Sequence, residues 1–312
     1  MLFYNPHSGQ QRGHHRRVVD QVAAVLSEAG VEAFIAETLS HAEAGQQARD
    51  AVAQGYDTIF ACGGDGTIQD VAQGLIGTDT ALAVIPLGTA NVLAHDLEIP
   101  SDAVEAARAA LQAVPLRVSV GRVDCQSAEG ILVTRYFLSV AGAGQDGYLF
   151  HKVAPSEKRA FGIAAYFSKA FWVWLTHRME WFSVDVSATD AEQRQPVTQI
   201  LAVRLHNFGN LLRDLAPRAS LLRKDFRVVL FKTSARWSYL LYVIRGILGA
   251  KWAAPGIELC DASRIRLTPI GVSPVYLEAD GEILGQLPAE ITLVPNALTL
   301  LVPPGFTARQ PV

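Results

Sequence analysis

A chain of 312 residues exceeds the size at which a single hydrophobic core usually stops growing, so two domains are the first expectation. Half of the residues are hydrophobic and only 18% are charged, which excludes a disordered or low-complexity polypeptide. Lys and Arg number 27 against 30 Asp and Glu, a net charge of −3, so no global basic field exists to hold nucleic acid, and DNA and RNA are excluded as partners.

From the N-terminus to about residue 116, short apolar runs alternate with segments of helical period, the pattern of βα units building a mostly parallel sheet. Residues 2–4 read as the first strand. Val18, Val22, Val25, Leu26 and Ala29 recur at helical spacing and Gly30 stops them, so a helix leads into a strand over 31–36. The cycle repeats with a helix over 42–54, a buried strand over 58–62, a helix over 67–76 and a strand over 81–86. Ser101, after Pro100, is expected to cap a helix running to about Ala113, closed by Pro115.

Beyond Arg117 the texture changes to alternating runs at 118–123, 131–140, 182–188, 200–205 and 226–231, which read as antiparallel strands. The expected fold is an N-terminal three-layer α/β nucleotide-binding domain over 1–117 and a β-rich, sandwich-like domain over 118–312. The extreme C-terminus is free to pack back on the first domain. Two helical segments, 160–177 and 236–251, interrupt the second domain. Their most apolar stretches fall short of the roughly 20 residues a membrane span needs. They also carry Lys169 and Arg245, so no span is expected. Asn5-Pro6-His7-Ser8-Gly9 breaks any secretory signal at once. Cys62, Cys125 and Cys260 lack C-x-x-C spacing, so neither disulfides nor zinc are indicated and a reducing cytoplasm fits best.

Cys62-Gly63-Gly64-Asp65-Gly66-Thr67 falls where a strand ends and a helix begins, the place at which open α/β sheets bind ligands. Glycines let backbone N–H groups approach phosphate oxygens, the helix start adds positive partial charge, and Thr67 adds a hydroxyl. Asp65 suits such a loop if it reaches Mg²⁺ or a substrate hydroxyl, or alternatively serves as the helix N-cap. The Asn5–Gly9 segment follows the first strand and Pro86-Leu87-Gly88-Thr89-Ala90-Asn91 the fourth, so three polar loops share one sheet edge.

"NPHSG", "GGDGTIQD" and "PLGTANVLA", in that order and spacing, resemble the diacylglycerol kinase catalytic-domain family, which includes bacterial lipid kinases and sphingosine kinases. "LSVAGAGQDG", "LAPRASL" and "EADGEI" extend the resemblance over nearly the whole chain. It implies ATP contacts from Asn5, Pro6, His7, Ser8, Gly9, Thr38, Gly64, Asp65, Gly66, Thr67, Ile68, Gln69, Asp70 and Thr89, with Mg²⁺ as the nucleotide's partner. Asp70 stands where the family usually has glutamate. It further implies Glu282 as general base beside a catalytic Asp65, and Asp146 against the lipid head group. Read without the family, Asp280-Gly281-Glu282 is a tight hairpin turn and Asp146 a solvated loop residue. No metal ligands are assigned. Where many members have Asp-Asp-Gly after the Ala-Pro-x-Ala-Ser turn, this chain has Leu222-Arg223-Lys224, so the family's auxiliary Mg²⁺ site loses its carboxylates.

The expected partners are a lipid substrate and, peripherally, the membrane surface, with a homodimer left open. Phe161, Phe167, Phe171, Trp172, Trp174, Trp237, Leu241, Ile244 and Leu248 form either core or a lipid-facing wall. Arg236, Arg245 and Lys251, interleaved with Trp237 and Trp252, suit an anionic interface. Two rival functions stand beside the lipid kinase: a soluble-substrate kinase of the NAD kinase type, which shares GGDGT, and a catalytically silent lipid- or nucleotide-binding protein.

Overall fold

The structure, a computed structural model, describes residues 1–6, 14–145, 147–148, 172, 174–187, 194–208, 216–249 and 252–309. The N-terminal region is built from β1 (Leu2–Tyr4), α1 (His14–Glu28), β2 (Ile35–Glu37), α2 (His41–Ala53), β3 (Thr58–Gly63), α3 (Asp65–Leu75), β4 (Ala81–Pro86), α4 (Val92–Asp96) and α5 (Ala103–Leu111). β2, β1, β3 and β4 lie side by side and parallel. Because parallel strands are covered by helices on both faces, they read as unbroken apolar runs.

Their side chains alternate between two cores. Phe3, Ile59, Ala61, Leu82 and Val84 pack with Ala44, Ala48 and Ala51 of α2 and Ile68, Val71 and Leu75 of α3. Leu2, Tyr4, Phe60, Cys62, Ala83 and Ile85 face the other way, onto Val19, Val22 and Leu26 of α1 and Ala103, Ala106 and Ala107 of α5. Several boundaries differ from expectation. β2 starts at Ile35, because Val31 is still tied to the end of α1 through its N–H to the Leu26 carbonyl at 2.9 Å. α3 starts two residues early, at Asp65. Asp102, not Ser101, caps α5, accepting from the N–H groups of Val104 and Glu105 at 3.0 Å each.

β5 (Val114–Gln126) runs without a break through residues 117 and 118 and carries the chain into the β-rich region. There follow β6 (Leu132–Phe137), β7 (Val140–Gly144), β8 (Phe182–Ser187), β9 (Arg194–Val197), β10 (Gln199–Val203), β11 (Phe226–Phe231), α6 (Arg236–Leu248), β12 (Ile257–Ala262), β13 (Arg264–Pro269), β14 (Tyr276–Ala279) and β15 (Glu282–Val302). Phe137, Phe182, Val197, Ile200, Phe226, Val228, Leu230, Leu277 and Ile291 fill the interior between the antiparallel strands. The other face of β10 and β11, through Leu201, Val203, Val229 and Phe231, packs on Tyr239 and Tyr242 of α6. The protein is thus an α/β region followed by a β-rich region.

β15 belongs to both regions. It begins in the hairpin with β14, pairs along much of its length with β5, and ends parallel to β4, with Thr299 opposite Ala81 and Leu300 opposite Leu82. Leu298, Leu300, Val302 and Phe306 are buried in the core beneath α2 and α3. Each buried side chain of this size contributes about 1.5–3 kcal/mol, so the returning C-terminal strand is a structural member of the first region.

Candidate active site

The strand order β2-β1-β3-β4 reverses direction between β1 and β3, and the crevice outside the carboxyl ends at such a switch is where doubly wound sheets take ligands. Asn5 and Pro6 leave β1 at this edge; His7, Ser8 and Gly9 lie outside the described residues. Thr38 is drawn in beside them, since its N–H donates to the Tyr4 carbonyl at 2.9 Å and its hydroxyl to the same oxygen at 3.4 Å.

The loops after β3 and β4 touch backbone to backbone. Leu87 N–H donates to the Gly63 carbonyl at 2.8 Å, and a Cβ on Gly88 would sit 2.5 Å from the Cα of Gly64. Only glycine allows that approach. Asn91 folds the second loop by exchanging two bonds with Gly88, its Oδ1 accepting at 3.0 Å and its amide donating at 2.9 Å. Thr89 stands exposed at the loop.

Asp65 does not cap its own helix: Gly64 occupies that position, and the Asp65 carboxylate reaches across to the start of α4, accepting from Val92 N–H at 2.6 Å. Burial raises its pKa, against the N–H groups of Val92, Leu93 and Asn91, which lower it. Gly64, Asp65 and Gly66 line the open side of the loop, whereas Thr67 packs on Gly63 and Ile68 is buried in the core. The side chains of Gln69 and Asp70 are turned toward β6 instead of the cradle. Gln69 donates to the Tyr136 carbonyl, and one turn on, Gln73 donates to the same carbonyl at 2.9 Å and accepts from Tyr136 N–H at 3.1 Å. The side chains of Ile68, Gln69 and Asp70, expected at the nucleotide, are buried and partnered inside the protein.

The hairpin between β14 and β15 supplies the opposite wall. Asp280 and Gly281 have φ of 49° and 83°, the two positive values a tight two-residue turn requires, and Glu282 pairs with Ala279 as the first residue of β15. Asp280 clasps the turn between β6 and β7, its Oδ1 accepting from the N–H groups of Ser139 and Val140 at 2.9 and 3.0 Å and its Oδ2 from Leu138 at 2.8 Å. Burial pushes its carboxyl up to about 6, the three N–H donors oppose that, and the charge of Asp65 adds to it.

Glu282 is joined to α3 by Arg135 of β6. One guanidinium nitrogen, Nη2, donates to Asp70 Oδ1 at 2.6 Å and to Glu282 Oε2 at 2.9 Å. The side-chain exposures are 2% for Asp70, 20% for Arg135 and 38% for Glu282, so the chain of charges runs from the interior to the open crevice. Arg135 escaped the sequence reading: in an alternating strand it looks like any outward-facing cation, and its partners lie 65 and 147 positions away. Asp146 lies outside the described residues.

A second clasp binds α4 to the β-rich region. Asp96 Oδ1 accepts from the N–H groups of His206 and Asn207 at 2.9 Å each. Burial pushes its carboxyl up to about 6, with the two donors pulling the other way.

The residues at 220–225 do not suit an auxiliary metal ion. Arg204 is 0% exposed, and its guanidinium donates to the carbonyls of Leu221 (2.8 Å), Arg223 (3.0 Å), Asp225 (2.8 Å) and Ser119 (3.0 Å). Those are the oxygens a hard cation would need. The Asp225 side chain is paired with Arg223 at 2.6 Å, and among the described residues no group of three acidic, His or Cys side chains could hold a metal.

The model of the diacylglycerol kinase catalytic domain matches residues 1–123, and that of the YegS C-terminal NAD kinase beta sandwich-like domain matches residues 139–302. The chain is 28% identical over 306 residues to the diacylglycerol kinase of Bacillus subtilis, covering 97% of this chain and 95% of that protein. It is 30% identical over 306 residues to the diacylglycerol kinase of Staphylococcus haemolyticus, covering 97% and 87%. Among solved structures, a diacylglycerol kinase from Bacillus anthracis superposes with a TM-score of 0.70 over 98% of this chain and 97% of that one, at 18% identity. Yeast NADH kinase complexed with NADH does so at 0.50, with 12% identity, over 97% and 83%. Likenesses at such identities speak to the fold alone. The relatives matched along 97% of the chain and the two family models lead to one conclusion: the chain belongs to the diacylglycerol kinase family and is a kinase that phosphorylates an alcohol group.

Proposed function

We propose that the protein moves the terminal phosphoryl group of ATP, with Mg²⁺, to a hydroxyl of a membrane lipid, with diacylglycerol first and a sphingoid base second among the acceptors. The observation that carries this reading is the Arg135 bridge from Glu282 to Asp70 of α3, the helix whose first turn closes the glycine loop at 63–66. Asn5, Pro6, Thr38, the backbone of the Gly64–Thr67 turn and Thr89 contact the nucleotide in this reading, and the resemblance adds His7, Ser8 and Gly9 to them and assigns Asp146 to the lipid head group, four residues that lie outside the described ones. Asp65 is the cradle carboxylate that would take nucleotide-bound Mg²⁺, through water. Mg²⁺ would supply positive charge against the phosphate oxygens. Glu282 holds the acceptor hydroxyl in line and receives its proton, which in a loose phosphoryl-transfer transition state leaves late, so placement outweighs basicity.

Lipid is met at the membrane surface by α6. Trp237 (74% exposed), Leu241, Ile244, Ile247 and Leu248 face outward, while Tyr239 and Tyr242 are the side packed on the sheet. Core packing therefore does not account for this apolar face. The arginines expected to flank it do not. Arg245 is buried over the Tyr242 ring at 4.7 Å, and Arg236 donates to the carbonyls of Trp174 and His177 at 3.0 and 3.2 Å. Of the other helical segment, 160–171 lies outside the described residues, as does Lys251. Among the described residues no helix is long and apolar enough to cross a membrane.

The test is incubation with labelled ATP and Mg²⁺ in the presence of a mixed lipid extract, and separately of NAD. Label in a lipid supports the reading. Label in NAD, with none in lipid, replaces it with the soluble-substrate alternative, and label in neither leaves a binding protein.

A further inference from the structure

We propose that Arg135 is the positioning residue of the phosphoryl transfer, fixing the Glu282 carboxylate relative to the nucleotide helix α3 instead of to its own hairpin. The inference rests on the kinase reading above and deepens it.

A glutamate at the first position of a strand, next to a turn, has three rotatable side-chain bonds, and at 38% exposure little packing restrains them. General-base work needs the carboxylate within hydrogen-bond reach of one hydroxyl, and misplacement by about 1 Å can cost about a hundredfold in rate. Something must therefore hold Glu282. The β14–β15 turn cannot do it: Asp280 is committed to the 138–140 backbone, and Gly281 N–H donates to Glu278 at 2.9 Å.

Arg135 does hold it, and is itself held. Its Nη2 is shared between Glu282 and the buried Asp70, whose position on α3 is set by the packing of Ile68, Val71 and Ala72 and by the bonds of Gln69 and Gln73 to Tyr136, the neighbour of Arg135. The first turn of that helix is the Gly64–Thr67 turn of the cradle. Arg135 thereby refers the acceptor side of the crevice to the donor side through a single rigid element, as a supporting shell does for a catalytic group. Asp70 supplies the counter-charge that lets a cation sit between two regions without drifting onto the nucleotide phosphates.

The experiment is steady-state kinetics of lipid phosphorylation for wild type, Arg135→Met, Arg135→Lys, Glu282→Gln and the Arg135→Met/Glu282→Gln double variant, with thermal melts of each. Arg135→Met is expected to lower kcat by about 10- to 100-fold with KM for ATP within about twofold, and Arg135→Lys to recover part of the loss. In the double variant the Arg135 change is expected to add nothing to the loss from Glu282→Gln. Unchanged kcat overturns the proposal, as does a rise in KM for ATP alone, which would make Arg135 a nucleotide contact. Equal further loss in the Glu282→Gln background overturns it too, because the role would then be general stability. Should Arg135→Met not fold, Arg135→Gln, which keeps N–H donors but drops the charge, is read in the same cycle. A wild-type protein that phosphorylates no lipid defeats the lipid-kinase reading itself. An active wild type with an inactive Glu282→Gln and an unaffected Arg135→Met defeats only this inference.

Discussion

The two walls of the crevice are made of different material. On the α/β side the surface is main chain: Gly64 against Gly88, two helix starts, and an Asn side chain used only to fold its own loop. On the β-rich side it is side chain: Asp280, Glu282 and Arg135, each fixed by partners distant in sequence. Phosphate is common to every nucleotide donor such a kinase could use, and backbone N–H groups at a sheet edge recognise it whatever the side chains do. The acceptor hydroxyl needs a proton acceptor at one point, which only a side chain supplies. Substitutions should therefore act by shape on one wall and by charge on the other.

Asp65 is where the two materials meet, and its loss should be largest. Asp65→Asn keeps the shape and is expected to lower turnover by a hundredfold or more while the fold remains, read by kcat and by circular dichroism. Near-wild-type turnover would reduce Asp65 to a cap for α4. On the main-chain wall, Gly88→Ala removes no functional group, yet its Cβ would meet Gly64 Cα at 2.5 Å. A loss of roughly 10- to 100-fold in kcat/KM for ATP is expected from the displaced loop. Full activity would mean that the contact between the loops is dispensable.

The side-chain wall and its clasp should respond to pH. Asp280 and Asp96 are both pushed up from 3.8 to about 6, so the folded state binds protons that the unfolded chain has already released. The stability they contribute is complete below 3.8 and is lost as pH rises through 6, each to the extent of up to about 3 kcal/mol. Asp261 and Glu290 work in the opposite sense, since neighbouring arginines lower them and their contribution fades in acid. Melts should thus show a higher Tm near pH 5 than at pH 7.5, and Asp280→Asn should flatten that slope. A Tm that climbs steadily to pH 7.5 would contradict both assignments.

Smaller effects sharpen the contrast further. Trp237→Ala with Leu241→Ala should weaken sedimentation with vesicles several-fold without moving Tm, because neither side chain is core. A fall in Tm with unchanged sedimentation would make them structural. The smallest expected effect is none at all: without nucleotide, chelator and Mg²⁺ should leave Tm alike, since Arg204 already occupies the carbonyls at 221–225. A large Mg²⁺-induced rise would show a site that the Arg204 contacts do not account for.

Much of this was legible in the sequence where the determinants are local. β1, β3 and β4 announce themselves as apolar runs, and the Asp-Gly turn before Glu282 follows from the φ values that pair of residues accepts. β2 was displaced because residues 31–34 read as the start of a strand while the Val31 N–H is still tied to the Leu26 carbonyl at the end of α1. α6 hid its orientation: apolar residues surround most of it, so periodicity could not say that Tyr239 and Tyr242 turn inward and Trp237 outward. Arg135 and Arg204 were illegible for a different reason. A lone arginine in a strand, or one residue past its end, has no local signature of what it will hold, and Arg204 draws on carbonyls from 17 to 85 positions away.

β15 gives the molecule a history during synthesis. Leu82 of β4 has no neighbour on its outer side until Leu300 emerges from the ribosome, about 220 positions later, which at bacterial or eukaryotic speeds takes roughly 10–40 s. For that interval an apolar strand edge stands open, the kind of surface on which nascent chains pair wrongly. The half of the protein made first is therefore the half finished last. A nascent chain halted before Ala297 is expected to be cut readily by protease within the α/β region, and protection should appear only once the last strand has arrived.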